Sequence, residues 1–130
     1  MQTNIVEELQ RTAEGAEADR ILRNCVHCGF CNATCPTYQL LGDELDGPRG
    51  RIYLIKRMLE GGDTGRATQQ HLDRCLTCRN CETTCPSGVA YGRLLDIGRE
   101  LVEERVARPW GERLLRGALR RVIPYRRRFR

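Results

Sequence analysis

Apolar residues recur at helical spacing along most of the chain, and no stretch alternates them with polar ones in the two-residue rhythm of a strand. Ile5, Val6, Leu9, Ala13, Ala16, Ile21 and Leu22 form a rough stripe through Gly15. Asn4, with Glu7 three residues on, offers a capping-box start, so the spacing predicts a first helix ending near Asn24. Pro48 suits the first position of a second helix over 49–60, whose Ile52, Ile55 and Leu59 share a face and which Gly61-Gly62 stops. Residues 66–74 read as a short helix. Leu94, Ile97 and Leu101, with Leu95, Val102 and Val106 on an adjoining stripe, predict a long helix over 93–108 closed by Pro109. A last amphipathic helix over 111–123 carries Leu114, Leu115, Ala118, Leu119 and Val122. Residues 37–46, with Gly42 and the following Gly47-Pro48, read as a loop. The expected class is all-α.

The polar gaps between these stripes hold a repeat. Cys25-Val26-His27-Cys28-Gly29-Phe30-Cys31-Asn32-Ala33-Thr34-Cys35-Pro36 returns as Cys75-Leu76-Thr77-Cys78-Arg79-Asn80-Cys81-Glu82-Thr83-Thr84-Cys85-Pro86, with all eight cysteines of the chain in register. The N-terminus is acidic rather than basic and then apolar, and no apolar run approaches the ~18 residues of a membrane span. The expected location is therefore cytoplasmic, with peripheral contact at the inner face of the membrane left open. In a reducing compartment repeated Cys spacings point to metal rather than to four disulfides.

Three thiolates from one short loop can reach three corners of a cubane [4Fe-4S] cluster when two residues separate each pair, which is the C-x2-C-x2-C spacing. The fourth Cys, three residues on and followed by Pro, is turned away from its own loop, and in two-cluster ferredoxins it serves the other cluster. The expected ligands are therefore Cys25, Cys28, Cys31 and Cys85 for one cluster, and Cys75, Cys78, Cys81 and Cys35 for the other. Zinc competes for C-x2-C pairs, but it usually takes two such pairs and expects neither a third Cys at that spacing nor a trailing Cys-Pro. His27 and His71 are the only histidines. No Cys is missing from either motif, so a Rieske centre is not expected, and His27 reads as a neighbour of the cluster or a surface residue.

With 130 residues and 5% aromatics the chain has room for one domain with a thin, aliphatic core, which two clusters bridging its halves would reinforce. It has no room for a flavin domain as well. The division expected is a ferredoxin unit over 1–109 and a basic amphipathic helix and tail over 110–130. The formal charge of +5 belongs to that tail: eight Arg and one Glu lie in 111–130, leaving 14 basic and 16 acidic groups before it. Each oxidised cubane with its thiolates adds about −2. Arg23, Arg49, Arg51, Lys56, Arg57, Arg74 and Arg79 lie near the motifs or on the connecting helix, where some should offset that charge and raise the potential. There is no phosphate loop, no nucleophile with a base and no spare cysteine, so no catalytic residue is expected. One-electron relay is the chemistry available.

Beyond the cysteine motifs, Thr37-Tyr38-Gln39-Leu40-Leu41-Gly42-Asp43-Glu44-Leu45-Asp46-Gly47-Pro48-Arg49-Gly50-Arg51-Ile52-Tyr53-Leu54-Ile55-Lys56 closely resembles the iron-sulfur subunits of bacterial glycolate oxidase (glycolate dehydrogenase). His71-Leu72-Asp73-Arg74-Cys75, Pro86-Ser87-Gly88-Val89 and Leu94-Leu95-Asp96-Ile97-Gly98-Arg99 continue the likeness, which weakens after Pro109. The resemblance implies an α-helical ferredoxin with two [4Fe-4S] clusters, all eight ligands falling on the cysteines named. It implies FAD-containing partner subunits that oxidise glycolate to glyoxylate, and a quinone or other acceptor for the electrons. In that setting the chain is the electron-transfer part of an oxidoreductase. The family continues into a region with two cysteine-rich CCG-type repeats, which this sequence does not contain. Two other readings stand beside it. One is a relay for lactate, glycerol 3-phosphate or a heterodisulfide reductase-like complex; the other is a zinc-stabilised interaction module whose tail binds nucleic acid, although no nucleic-acid partner is expected.

Overall fold

The computed structural model describes residues 1–129; Arg130, the last residue of the expected basic tail, lies outside the described residues. Ten α-helices follow one another among those residues, with no strand: α1 (Glu7–Gln10), α2 (Ala13–Asn24), α3 (Phe30–Ala33), α4 (Pro36–Leu41), α5 (Pro48–Leu59), α6 (Arg66–Asp73), α7 (Asn80–Thr84), α8 (Tyr91–Arg105), α9 (Trp110–Val122) and α10 (Arg126–Phe129). A single 3-10 turn, η1 (Glu44–Asp46), precedes α5. The all-α expectation is met.

The core is aliphatic and lies between α2, α5 and α8. Ala18, Ile21 and Leu22 meet Ile52, Ile55, Met58 and Leu59, and Leu94, Leu95, Ile97, Leu101 and Val102 close the other side. The crossing of α5 and α8 is close because Gly98 faces Ile55: a Cβ there would lie 2.6 Å from Ile55 Cγ1. Pro48 opens α5 and Gly61, at φ 81°, lies just past its end, as the sequence suggests.

Three expectations are corrected. The first helix is two helices. Thr12 caps α2 by accepting from Gly15 N–H at 3.0 Å, and the chain bends back so tightly that a Cβ on Gly15 would sit 1.8 Å from Leu9 O. No capping box forms at Asn4, whose N–H donates instead to Glu60 Oε1, while Glu7 pairs with Arg11. Residues 37–46 are not a plain loop, because Pro36 presets the first turn of α4, Gly42 ends it at φ 67°, and the Asp43 carboxylate accepts from Leu45 N–H to start η1. Helix α8 begins at Tyr91 and ends at Arg105, three residues short of the expected 108. There Val106 is extended, and the nearly buried Arg108 turns inward to Asp73, Glu103 and Glu112.

Helix α9 carries the expected apolar stripe, but the stripe faces outward. Trp110 is 81% exposed and Leu114 67% exposed, and ion pairs of Glu112 with Arg66 and of Arg116 with Asp73 join the helix to the body.

Candidate metal centre

The two copies of the motif fold alike. His27 (φ 59°) and Gly29 (φ 87°) are left-handed in the first loop, and Thr77 (φ 56°) and Arg79 (φ 59°) hold the same places in the second. Such alternation turns successive N–H groups toward one side, which makes a concavity suited to an anion. For a non-glycine residue, and above all for β-branched Thr77, the conformation costs about 1–3 kcal/mol and persists only where its surroundings impose it. Each loop then enters a short helix, α3 or α7, at whose end Cys35 and Cys85 adopt the same extended backbone. After that the copies part: Pro36 begins α4, whereas Pro86 begins a turn in which Gly88 N–H donates to Cys85 O at 3.2 Å.

Helix α3 packs on α7, with Thr34 Oγ1 donating to Asn80 O across the junction. This contact carries the last Cys of each motif to the other motif's loop. One cavity is lined by Cys25, Cys28, Cys31 and Cys85, with Val26, Phe30, Ile52 and Val89 around them; Cys81 also reaches its wall. A second is lined by Cys35, Cys75, Cys78 and Cys81, with Thr37, Arg51 and Arg79. Cys81, Pro48 and Tyr91 border both, so the cavities are neighbours.

All eight cysteines are free. Burial, and then neighbouring cysteines, push the Cys31 thiol up to about 11 and the Cys81 thiol up to about 12; burial also raises Cys25. Buried thiols beside one another resist ionisation unless a cation joins them, and a coordinating metal ion deprotonates thiols outright. The donor set therefore fits a thiolate-bound iron-sulfur cluster. His27 borders the first cavity, and its Nδ1 is buried without a hydrogen-bond partner; burial and the nearby Arg49 lower its pKa.

Behind the second cavity lies a polar network that sequence reasoning reaches only in part. Arg51 and Asp46 are both fully buried. Asp46 Oδ1 accepts from Arg51 Nη2 at 3.4 Å and lies 3.0 Å from His71 Nδ1, while Oδ2 accepts from Arg74 Nη1 at 2.7 Å. Burial pushes the Asp46 carboxyl up, but hydrogen bonds from His71 and Arg74 leave it below the usual range. Arg51 Nε donates to His71 O at 2.7 Å and Nη1 to Thr37 Oγ1 at 3.1 Å, with Nη1 4.0 Å from Cys35 Sγ. Thr37 Oγ1 in turn donates to Asp46 O at 2.8 Å and lies 3.2 Å from Cys35 Sγ. The hydroxyl of buried Tyr91 donates to Cys75 Sγ at 3.5 Å.

Arg51 and Arg74 are among the cations expected near the motifs as charge-balancing groups, whereas Asp46 and Tyr91 are not singled out by the sequence. The available signal is Arg51 itself, a cation on the stripe that Ile55 and Met58 continue into the core. Of the other expected cations, Arg23 pairs with Asp19, Lys56 with Glu60 and Arg49 with Glu44; Arg49 borders the first cavity and Arg79 the second.

The chain is 68% identical over 124 residues to the glycolate oxidase iron-sulfur subunit of Escherichia coli (strain K12), a match covering 95% of this chain and 30% of that protein. It is 41% identical over 112 residues to the probable glycolate oxidase iron-sulfur subunit of Bacillus subtilis (strain 168), covering 84% of this chain and 25% of the relative. The chain thus spans less than a third of the length of these curated relatives. The family model of the 4Fe-4S dicluster domain matches residues 21–89, which contain both loops, all eight cysteines and the Arg51 network, and the chain belongs to that family.

Proposed function

We propose that the chain holds two [4Fe-4S] clusters and relays electrons, one by Cys25, Cys28, Cys31 and Cys85 and the other by Cys75, Cys78, Cys81 and Cys35. The observation that carries this reading is the sorting of the eight cysteines into two adjoining cavities, each with three sulfurs from one loop and the last from the other. When bound, such a cluster supplies reversible one-electron chemistry. The chain's own residues hold the sulfurs in place, line both sites with Pro48, Cys81 and Tyr91, and set the surrounding charge.

The relatives' names support glycolate oxidation as the source of the electrons, and the partner this reading assigns is a FAD-containing subunit that oxidises glycolate to glyoxylate. That oxidation releases two electrons and two protons. In such an assembly a flavin would supply two-electron chemistry, the clusters held by the eight cysteines would supply one-electron chemistry, and a quinone or another acceptor would receive both electrons, a quinone with two protons to become a quinol. The relay belongs to residues 1–109, and the cationic segment 110–130 is an appendage of it. The place of work is the cytoplasm. No helix among the described residues is long and apolar enough to cross a membrane.

Anaerobic metal and sulfide analysis tests the reading: about eight iron and eight sulfide per chain are expected of two cubanes. Zinc without sulfide would refute it. Cys35→Ala should disturb the same EPR signal as Cys78→Ala, and Cys85→Ala the same one as Cys28→Ala; pairing by sequence neighbourhood would refute the crossing.

A further inference from the structure

The two cavities receive the same loop but different electrostatics. At the first, Arg49 is balanced one to one by Glu44, with Nε 2.6 Å from Oε1, and the pair is part-exposed. The Met1 ammonium donates to the Cys25 carbonyl oxygen, also at a partly exposed position. The side-chain contact at a sulfur is Cys31 Sγ to Asn32 Oδ1 at 4.0 Å, in which the thiol is the donor; a thiolate has no proton to give.

At the second cavity Arg51 and Arg74 both pair with Asp46, and the Asp43 carboxylate lies within 4.8 Å of the same group, so what sets this site apart is that its Arg51–Asp46 pair is wholly buried. Arg51 is fully buried, with its Nη1 beside Cys35, and Tyr91 offers a true donor to Cys75. A buried charge acts at low dielectric and escapes the salt screening that weakens exposed pairs. Charge and hydrogen bonds to the sulfurs are among the factors that set a cluster's potential.

We infer that the buried Arg51 guanidinium and the Tyr91 hydroxyl set the cluster of Cys35, Cys75, Cys78 and Cys81 at the higher reduction potential of the two. The second cavity is then the electron-collecting end, and electrons that enter at the first cavity run downhill to it. This inference rests on the two-cluster reading above.

The test is an anaerobic redox titration of the full chain with both clusters loaded, each followed by its EPR signal. Arg51→Gln should lower the higher potential by about a tenfold change in equilibrium constant, 59 mV for one electron. The lower potential should stay unchanged, and Arg51→Lys should restore most of the loss. Asp46→Asn should move the same potential upward, because it removes a buried negative charge beside Arg51 and Arg74. Structural damage to the network would instead give the two substitutions the same sign. Tyr91→Phe keeps the side-chain volume and should also lower that potential, so it decides the matter if Arg51→Gln does not fold. A shift of the same sign for Arg51→Gln and Asp46→Asn, equal shifts at both clusters, or an Arg51-sensitive cluster at the lower potential would overturn the inference. A wild-type chain that binds no iron, or a single cluster, would instead overturn the two-cluster reading.

Discussion

Arg49 at the first cavity is matched by one half-exposed carboxylate, whereas at the second the buried Arg51 and the half-exposed Arg74 divide the carboxylate of Asp46 between them. The loops that present the cysteines are near copies, down to left-handed backbone at the second and fourth positions after the first Cys of each. The contrast arises in the segments downstream of each Cys-Pro. After Cys35 the chain makes α4 and η1 and delivers Thr37 and Asp46 to the sulfur; after Cys85 it makes only a turn before α8. The repeat supplies the cysteines, and the unrepeated segment makes the two sites unequal.

Removing the metal should produce the largest effect and sharpen this contrast. Structural metal sites couple to folding by on the order of 10 kcal/mol, and left-handed His27, Thr77 and Arg79 need an occupant to impose them. In the iron-free chain amide exchange should rise over residues 25–31 and 75–81. Residues 36–51 should keep more protection, because Asp46, Thr37 and Arg51 tie that segment to α6 without metal. Uniform loss of protection would show that the network has no independent hold.

The next effect separates the two carboxylates. Asp46→Ala strands the buried Arg51 and should cost about 3–5 kcal/mol, the usual penalty for breaking a buried pair. Glu44→Ala, at a half-exposed pair, should cost less than about 1 kcal/mol. Denaturant midpoints at constant slope give both numbers, and equal losses would erase the distinction between the sites.

Much of this architecture is legible in the amino-acid sequence. Helices α5, α6 and α9 follow the apolar spacing closely, and the repeat names every cysteine at the cavities. The first helix is misleading because the stripe through Gly15 is continuous in sequence while the backbone is not; a Thr cap and a glycine too close to Leu9 O for any side chain break it. The stretch 37–46 misleads because its turn residues end and cap short helices rather than exclude them. Asp46 is invisible for a different reason. Its role comes from contacts with His71 and Arg74, 25 and 28 residues away, and local pattern holds no record of such distant pairings.

Within the loops, Gly29 and Arg79 occupy equivalent left-handed positions. Arg79→Gly should stabilise the metal-free chain by up to about 1 kcal/mol through relief of backbone strain, less the entropy glycine adds to the unfolded chain. Gly29→Ala should destabilise it, because a Cβ there would also lie 2.9 Å from Arg49 Nη1. Thermal unfolding of the two variants should therefore shift in opposite directions, and shifts of the same sign would show that the loops are less alike than their dihedrals.

The smallest effect is a pH dependence at the first cavity. The Arg49 hydrogen bond, aided by Asn32 and opposed by partial burial, holds the Glu44 carboxyl below its ordinary 4.5. A carboxylate whose folded pKa is depressed stabilises the fold above its unfolded pKa, and that contribution fades as pH falls through the folded value. Since both partners are more than a third exposed, solvent screening limits it to less than about 1 kcal/mol. The difference in unfolding free energy between wild type and Glu44→Gln should thus be constant from neutral pH down to about pH 5, an onset near the ordinary carboxyl range, and then shrink. Raising salt should shrink it at every pH, as it does for exposed pairs but not for buried ones. A difference that survives both low pH and high salt would mean that Glu44 and Arg49 form as protected a pair as Asp46 and Arg51, and burial of the ion pair would then no longer distinguish the two cavities.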